Sequence, residues 1–146
     1  MAHASMVHAL SEIHRVLKPN GTLLDLRPVE DSWSVEIVSG SGWQATGRLS
    51  DMPQGVADDA AANQAMREVE SRGWFIQKKM EEFPFFYYWD TPSEMKEFME
   101  DEWEDFEKLE EEVYRKTASM WASSTADAHV RVRVKMMIAA WEKRRS

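Results

Sequence analysis

The chain has 146 residues, a formal net charge of −8 at neutral pH and no cysteine. Disulfides, thiolate nucleophiles and zinc–thiolate sites are thereby excluded, and the acidic excess speaks against nucleic acid, whose phosphates are bound through lysine and arginine. With 43% hydrophobic and 30% charged residues, the composition is that of one globular domain over residues 1–146 with a sizeable core.

No stretch approaches the roughly eighteen apolar residues of a membrane span, and the start lacks the basic-then-apolar layout of a secretory signal. The expectation is a cytoplasmic protein with no membrane partner. Residues 1–5 read either as native sequence or as a cloning remnant ahead of Met6.

In chain order, Met6, Leu10, Ile13 and Leu17 lie on one face of a helix. Lys18-Pro19-Asn20-Gly21 stops it, because proline cannot continue the ladder and Asn-Gly takes left-handed turn geometry. Thr22 to Leu26 is apolar on both faces apart from Thr22 and Asp25, which predicts a strand covered on two sides. Ser34–Val38 and Trp43–Leu49 read as two short strands joined by a turn at Ser39-Gly40-Ser41-Gly42. Asp51 to Gly55 reads as a loop, and Asp58 to Arg72 as a helix stopped by Gly73.

The aromatic density of Trp74 to Trp89 favours a strand, and Pro84 inside it predicts an edge position, where a missing N–H breaks no ladder. Thr91 or Ser93 is a candidate cap for a helix running from about Ser93 to Trp121. Its stripe of Met95, Phe98, Met99, Trp103, Phe106, Leu109, Val113 and Met120 predicts core packing. Val130, Val132, Val134, Met136 and Ile138 then alternate with Arg131, Arg133, Lys135 and Met137, a period-two strand that Ala139 to Arg145 extends or frays.

The first of these elements carries a recognisable pattern. Ala9-Leu10-Ser11-Glu12-Ile13-His14-Arg15-Val16-Leu17-Lys18-Pro19-Asn20-Gly21-Thr22-Leu23-Leu24-Asp25-Leu26 closely resembles the region before and through the fifth strand of class I S-adenosylmethionine-dependent methyltransferases, with its A-L-x-E-x-x-R-V-L-K-P-G-G-x-L pattern. In that family the unit lies more than halfway along the catalytic domain. The resemblance therefore implies a truncated, methyltransferase-like C-terminal half in which the cofactor-binding first half is missing. It also implies an α/β fold with a small mixed sheet like the family's last three strands, flanking helices and one extra hairpin. The strand at Val130 is then expected between those at Thr22 and Phe75.

Other motifs do not add a catalytic centre. Gly40-Ser41-Gly42-Trp43-Gln44-Ala45 satisfies G-x-G-x-x-[GA], but the residues after it do not open a helix whose N–H groups would face a cofactor, so it reads as a turn. His8 and Glu12 stand one helical turn apart, but two ligands without a third make a poor metal site. No G-x-S-x-G elbow occurs. No catalytic, cofactor-binding or metal-ligating residue is assigned, and S-adenosylmethionine is expected only if a partner chain completes the site.

Ligands of open α/β sheets bind beyond the carboxyl ends of strands. On the methyltransferase pattern this makes Arg27, Glu30, Trp33, Trp43 and Arg48 candidate ligand-facing residues, although large aromatics are more commonly recruited to cover a sheet.

Three functions remain in competition. The first is a truncated methyltransferase-like protein without independent catalysis, acting as a small homodimeric binding or assembly protein through Leu10, Leu23, Leu24 and Leu26. The second is the acceptor-side subunit of a split methyltransferase, whose partner protein supplies the missing half. The third is an acidic interaction module: residues 94–112 hold eleven acidic residues and two lysines, which is ordinarily a solvated helix face and otherwise a surface for a basic partner.

Overall fold

The computed structural model describes residues 3–145. The cloning-remnant reading of residues 1 and 2 lies outside the described residues, whereas His3 to Ser5 form the first turn of helix α1 (His3–Val16). The protein is α/β, with four helices and mostly antiparallel strands among the described residues, and none of these helices is long and apolar enough to cross a membrane. The chain divides into two compact units, residues 3–29, 57–83 and 136–145 in the first and 30–56 and 84–135 in the second.

In the first unit, α1 ends where the sequence places its stop. Asn20 adopts a left-handed φ of 63°, and Gly21 donates to the Lys18 carbonyl at 2.8 Å. A Cβ at Gly21 would stand 2.8 Å from that same oxygen, so this close turn requires glycine. The Lys143 ammonium donates to the Leu17 carbonyl at 2.7 Å, placing a cation beside the exposed carbonyls that follow a helix C-terminus.

Strand β1 (Thr22–Pro28) pairs antiparallel with the later part of β7 (His129–Lys143), Leu24 opposite Ala140 and Leu26 opposite Ile138. Strand β5 (Phe75–Trp89) also pairs with β7. Strand β7 is thus the shared neighbour of the Thr22 and Phe75 strands, the central place expected for it. The core gathers Met66 and Val69 of α2 (Pro53–Ser71) with Phe75, Met137, Ala139 and Trp141. Leu10, Ile13, Leu17 and Leu23 pack against it.

Cover on both faces of β1 is not what the structure shows. Its exposure alternates along the strand: Leu23 turns to the core, whereas Leu24 and Leu26 are 62% and 57% exposed. Period two forces this once a single face is packed, because successive side chains point to opposite sides. Helix α2 also begins earlier than expected. Pro53 is its first residue, because proline's fixed φ and missing N–H suit the first helical position.

In the second unit, β2 (Ser34–Ser39) and β3 (Gly42–Arg48) form the expected hairpin, with Gly42 at φ 130° in the turn. The earlier part of β7 pairs antiparallel with β2, Val35 opposite Val132. Helix α4 (Glu111–Ala122) lies on the hairpin so closely that a Cβ at Gly47 would be 2.9 Å from both methyls of Val113. The buried hydroxyls of Thr46 and Thr117 meet there at 2.7 Å.

The single helix expected from Ser93 to Trp121 is instead two. Helix α3 (Pro92–Glu102), capped by the Thr91 hydroxyl accepting from the Glu94 N–H at 3.2 Å, stops at Trp103. Residues Glu107–Lys108 then form a short strand, β6, before α4 begins. Continuing the helix would stack Glu100 on Glu104 and Asp101 on Asp105, like charges one turn apart. The break also lets Trp103 join Trp33, Tyr87 and Phe98, with ring centroids at 5.6, 5.0 and 5.5 Å.

Candidate functional site

The chemically unusual group of the second unit is built from three short segments. Strand β4 (Ser50–Asp51) pairs antiparallel with β6, setting Asp51 directly opposite Glu107, and the Met52 N–H donates to the Phe106 carbonyl at 3.0 Å. Two acids facing each other across a ladder repel, so this register is unfavourable unless something relieves it.

The third segment is the turn at residues 30–32, and several bonds fix it. Ser32 has a left-handed φ of 46°. Its N–H donates to the Asp51 carboxylate at 3.1 Å, and its carbonyl, with that of Asp31, accepts from the Arg48 guanidinium at 2.8 and 3.1 Å. Glu30 is thereby carried to Asp51 and Glu107: one carboxylate oxygen of each of the three lies within 4.8 Å of the others. Gly55 makes room beside them, since a Cβ there would stand 3.1 Å from Glu30 Oε1 and 3.0 Å from the Phe106 carbonyl oxygen.

Glu107 is 3% exposed, and neither of its carboxylate oxygens has a donor among the described residues. Burial pushes its carboxyl up to about 9, and the negative charges of Glu30 and Asp51 push in the same direction. Carboxylates can hold one another only by sharing a proton, so at neutral pH the group either keeps a proton on Glu107 or binds a cation. Among the described residues this is the one set of three acidic or histidine side chains placed to hold a metal ion.

The residues singled out from the sequence are distributed as follows. Glu30 belongs to the carboxylate group, and Arg48 fastens the turn that presents it. Trp33 is buried at 7% exposure in the aromatic cluster. Trp43, at the far end of the hairpin from Arg48, is 55% exposed and lies under the guanidiniums of Arg133 and Arg131, 4.7 and 5.5 Å from its ring centre.

Those two arginines clasp Glu36, which is 1% exposed, at 2.7 Å from Arg131 and 2.9 Å from Arg133. Arg27 lies in the first unit, where its guanidinium binds Asp25 at 3.1 Å and Asn63 at 2.9 Å and stands 3.7 Å from Asp59. Glu12, one helical turn from His8, accepts from Arg15 at 2.6 Å. The glycine pattern at residues 40–45 spans the turn between β2 and β3 and the start of β3.

Of the predicted assembly residues, Leu10 and Leu23 face the core of their own unit, whereas Leu24 and Leu26 are exposed. Asp51 and Glu107 were not singled out. Nothing distinguishes Glu107 from its neighbours in an acidic run until β4 and β6 pair.

No protein family model, no curated protein and no solved structure matches this chain.

Proposed function

We infer that the chain is a methyltransferase-like binding or assembly protein without catalysis of its own, working as a homodimer. The supporting observation is the open side of β1. The strand has one neighbour, β7, among the described strands, and it turns Leu24 and Leu26 outward at 62% and 57% exposure.

An unpaired edge with an apolar face is a template for another strand. Covering the two leucines would contribute about 1.5–3 kcal/mol each. A second copy suits this edge because the charges of β1, Asp25 and Arg27, are paired with each other at 3.1 Å. Two copies of β1 thus meet antiparallel without the repulsion that the chain's net charge of −8 would otherwise bring. Such an interface is isologous, and obligate ones of this kind exceed roughly 2,000 Å² in total.

The reading without catalysis of its own is supported by the turn at residues 40–42, which closes a hairpin where the glycine pattern would need to open a helix toward a cofactor's charged groups. Calorimetric titration with S-adenosylmethionine is expected to give no saturable heat at micromolar concentration.

The acceptor-side subunit of a split methyltransferase is the second reading, favoured by β7 serving as neighbour to both β1 and β5. In it a different chain occupies the same edge. Light scattering on the purified protein separates the two. Twice the 17.0 kDa chain mass, halved by Leu24→Asp, is expected for the homodimer. A stable 17.0 kDa monomer at micromolar concentration contradicts it.

A further inference from the structure

Glu107 is buried without a hydrogen-bond donor among the described residues. Buried polar groups in native proteins are almost always hydrogen-bonded. Glu107, 3% exposed, has no donor at either oxygen among the described residues. What it faces are two more carboxyls: Asp51, its partner across the β4–β6 ladder, and Glu30, brought in by the turn that Asp51 and Arg48 fasten. The donors that would ordinarily quench a buried acid are engaged elsewhere, Arg48 on backbone carbonyls and Arg131 and Arg133 on Glu36.

We propose that Glu30, Asp51 and Glu107 form a binding site for a hard divalent cation of calcium size, each supplying one carboxylate oxygen and water completing the shell. The donor set is all oxygen, the chemistry that suits calcium, magnesium and manganese and not the softer metals. One carboxylate oxygen of each lies within 4.8 Å of the others, close enough for a single ion to take all three. Calcium suits such a set, because it accepts several protein carboxylates in flexible geometry at about 2.3–2.6 Å, whereas magnesium gives up its waters reluctantly and is usually held by one or two carboxylates. The cation also explains why two acids oppose each other in β4–β6, since a shared ion converts a repulsive register into a clamp between the turn at residues 30–32 and β6. Gly55 fits the same picture, because a side chain there would crowd Glu30 Oε1.

The test uses the full chain after chelator treatment. Calcium chloride titrated by calorimetry is expected to give one saturable site, and saturating calcium to raise the melting temperature by about 4 °C. Glu107→Gln, which keeps the shape and removes the charge, is expected to abolish both effects, and Asp51→Asn to weaken them. Terbium, a calcium surrogate, provides a readout that needs no variant. Its emission, excited through Trp103 four residues before Glu107, is expected to appear on the wild-type protein and to be displaced by calcium, with magnesium a weaker competitor. The absence of heat, melting shift and displaceable emission at millimolar calcium overturns the proposal. So does a Glu107→Gln variant that responds as the wild type does.

Discussion

Glu36 and Glu107 are buried to nearly the same depth in the same unit, at 1% and 3% exposure, and are held in opposite states. Burial pushes both carboxyls up. At Glu36 the hydrogen bonds from Arg133 and Arg131 outweigh it, and the group sits below the ordinary carboxylate range. At Glu107 the next-largest influence is another acid, Glu30, and the group is pushed up to about 9. Depth alone therefore says little about a buried acid; what faces it decides whether it is ionised. Glu36 knits β2 to β7 and has its charge answered within the fold. Neither oxygen of Glu107 has a donor among the described residues, and that difference marks it as the functional candidate.

Removing Glu36 is the largest perturbation of this contrast. Glu36→Ala leaves the guanidinium of Arg131, whose side chain is 9% exposed, buried without a counter-charge. A loss of about 3–5 kcal/mol in urea unfolding is expected.

The contrast sharpens next through pH. Because folding raises the Glu107 carboxyl from 4.5 to about 9, the folded protein binds more protons than the unfolded one between those values. The associated stability is complete below pH 4.5 and declines as pH rises through about 9, by at most about 1.4 kcal/mol per pH unit. Glu107→Gln is expected to flatten the stability profile over that window in chelator-treated protein.

Arg133, with 33% of its side chain exposed, is only half committed to Glu36. Arg133→Gln is expected to cost about 1–2 kcal/mol in the same unfolding assay, because Arg131 still holds the carboxylate. The smallest effect is expected from Asp51→Asn, which keeps an acceptor for the Ser32 N–H while removing one like charge. The alkaline end of the Glu107 window should move down without a measurable change in the far-ultraviolet circular dichroism.

Local rules carried much of the fold. Asn20-Gly21, Gly42 and Gly73 punctuate the chain where expected, Thr91 caps α3, and the alternation from Val130 becomes β7. What they missed depends on contacts between distant positions. The helix break after Glu102 is underdetermined locally, because the apolar stripe continues through it. The break comes from the aromatic cluster of Trp103 and from a two-residue pairing with β4, too short to leave a periodic signal.

The same pairing hides the carboxylate site. It joins positions 51 and 107, and within the acidic run Glu107 looks like one more solvated glutamate. Glu30 is visible from sequence only as a residue following the first strand, and no local pattern places Asp51 beside it. The outward leucines of β1 were seen as apolar, but an apolar strand alone does not say that one face stays open.

The contrast between the two buried acids can be measured directly. Carbon-13 NMR of the Glu36 and Glu107 side-chain carboxyls, titrated from acid to alkaline pH in chelator-treated protein, should show Glu36 ionising below the ordinary carboxylate range and Glu107 remaining protonated until about pH 9. If both carboxyls ionise together near the ordinary value of 4.5, burial and the charges of Glu30 and Asp51 do not hold Glu107 neutral and the account of its site is contradicted.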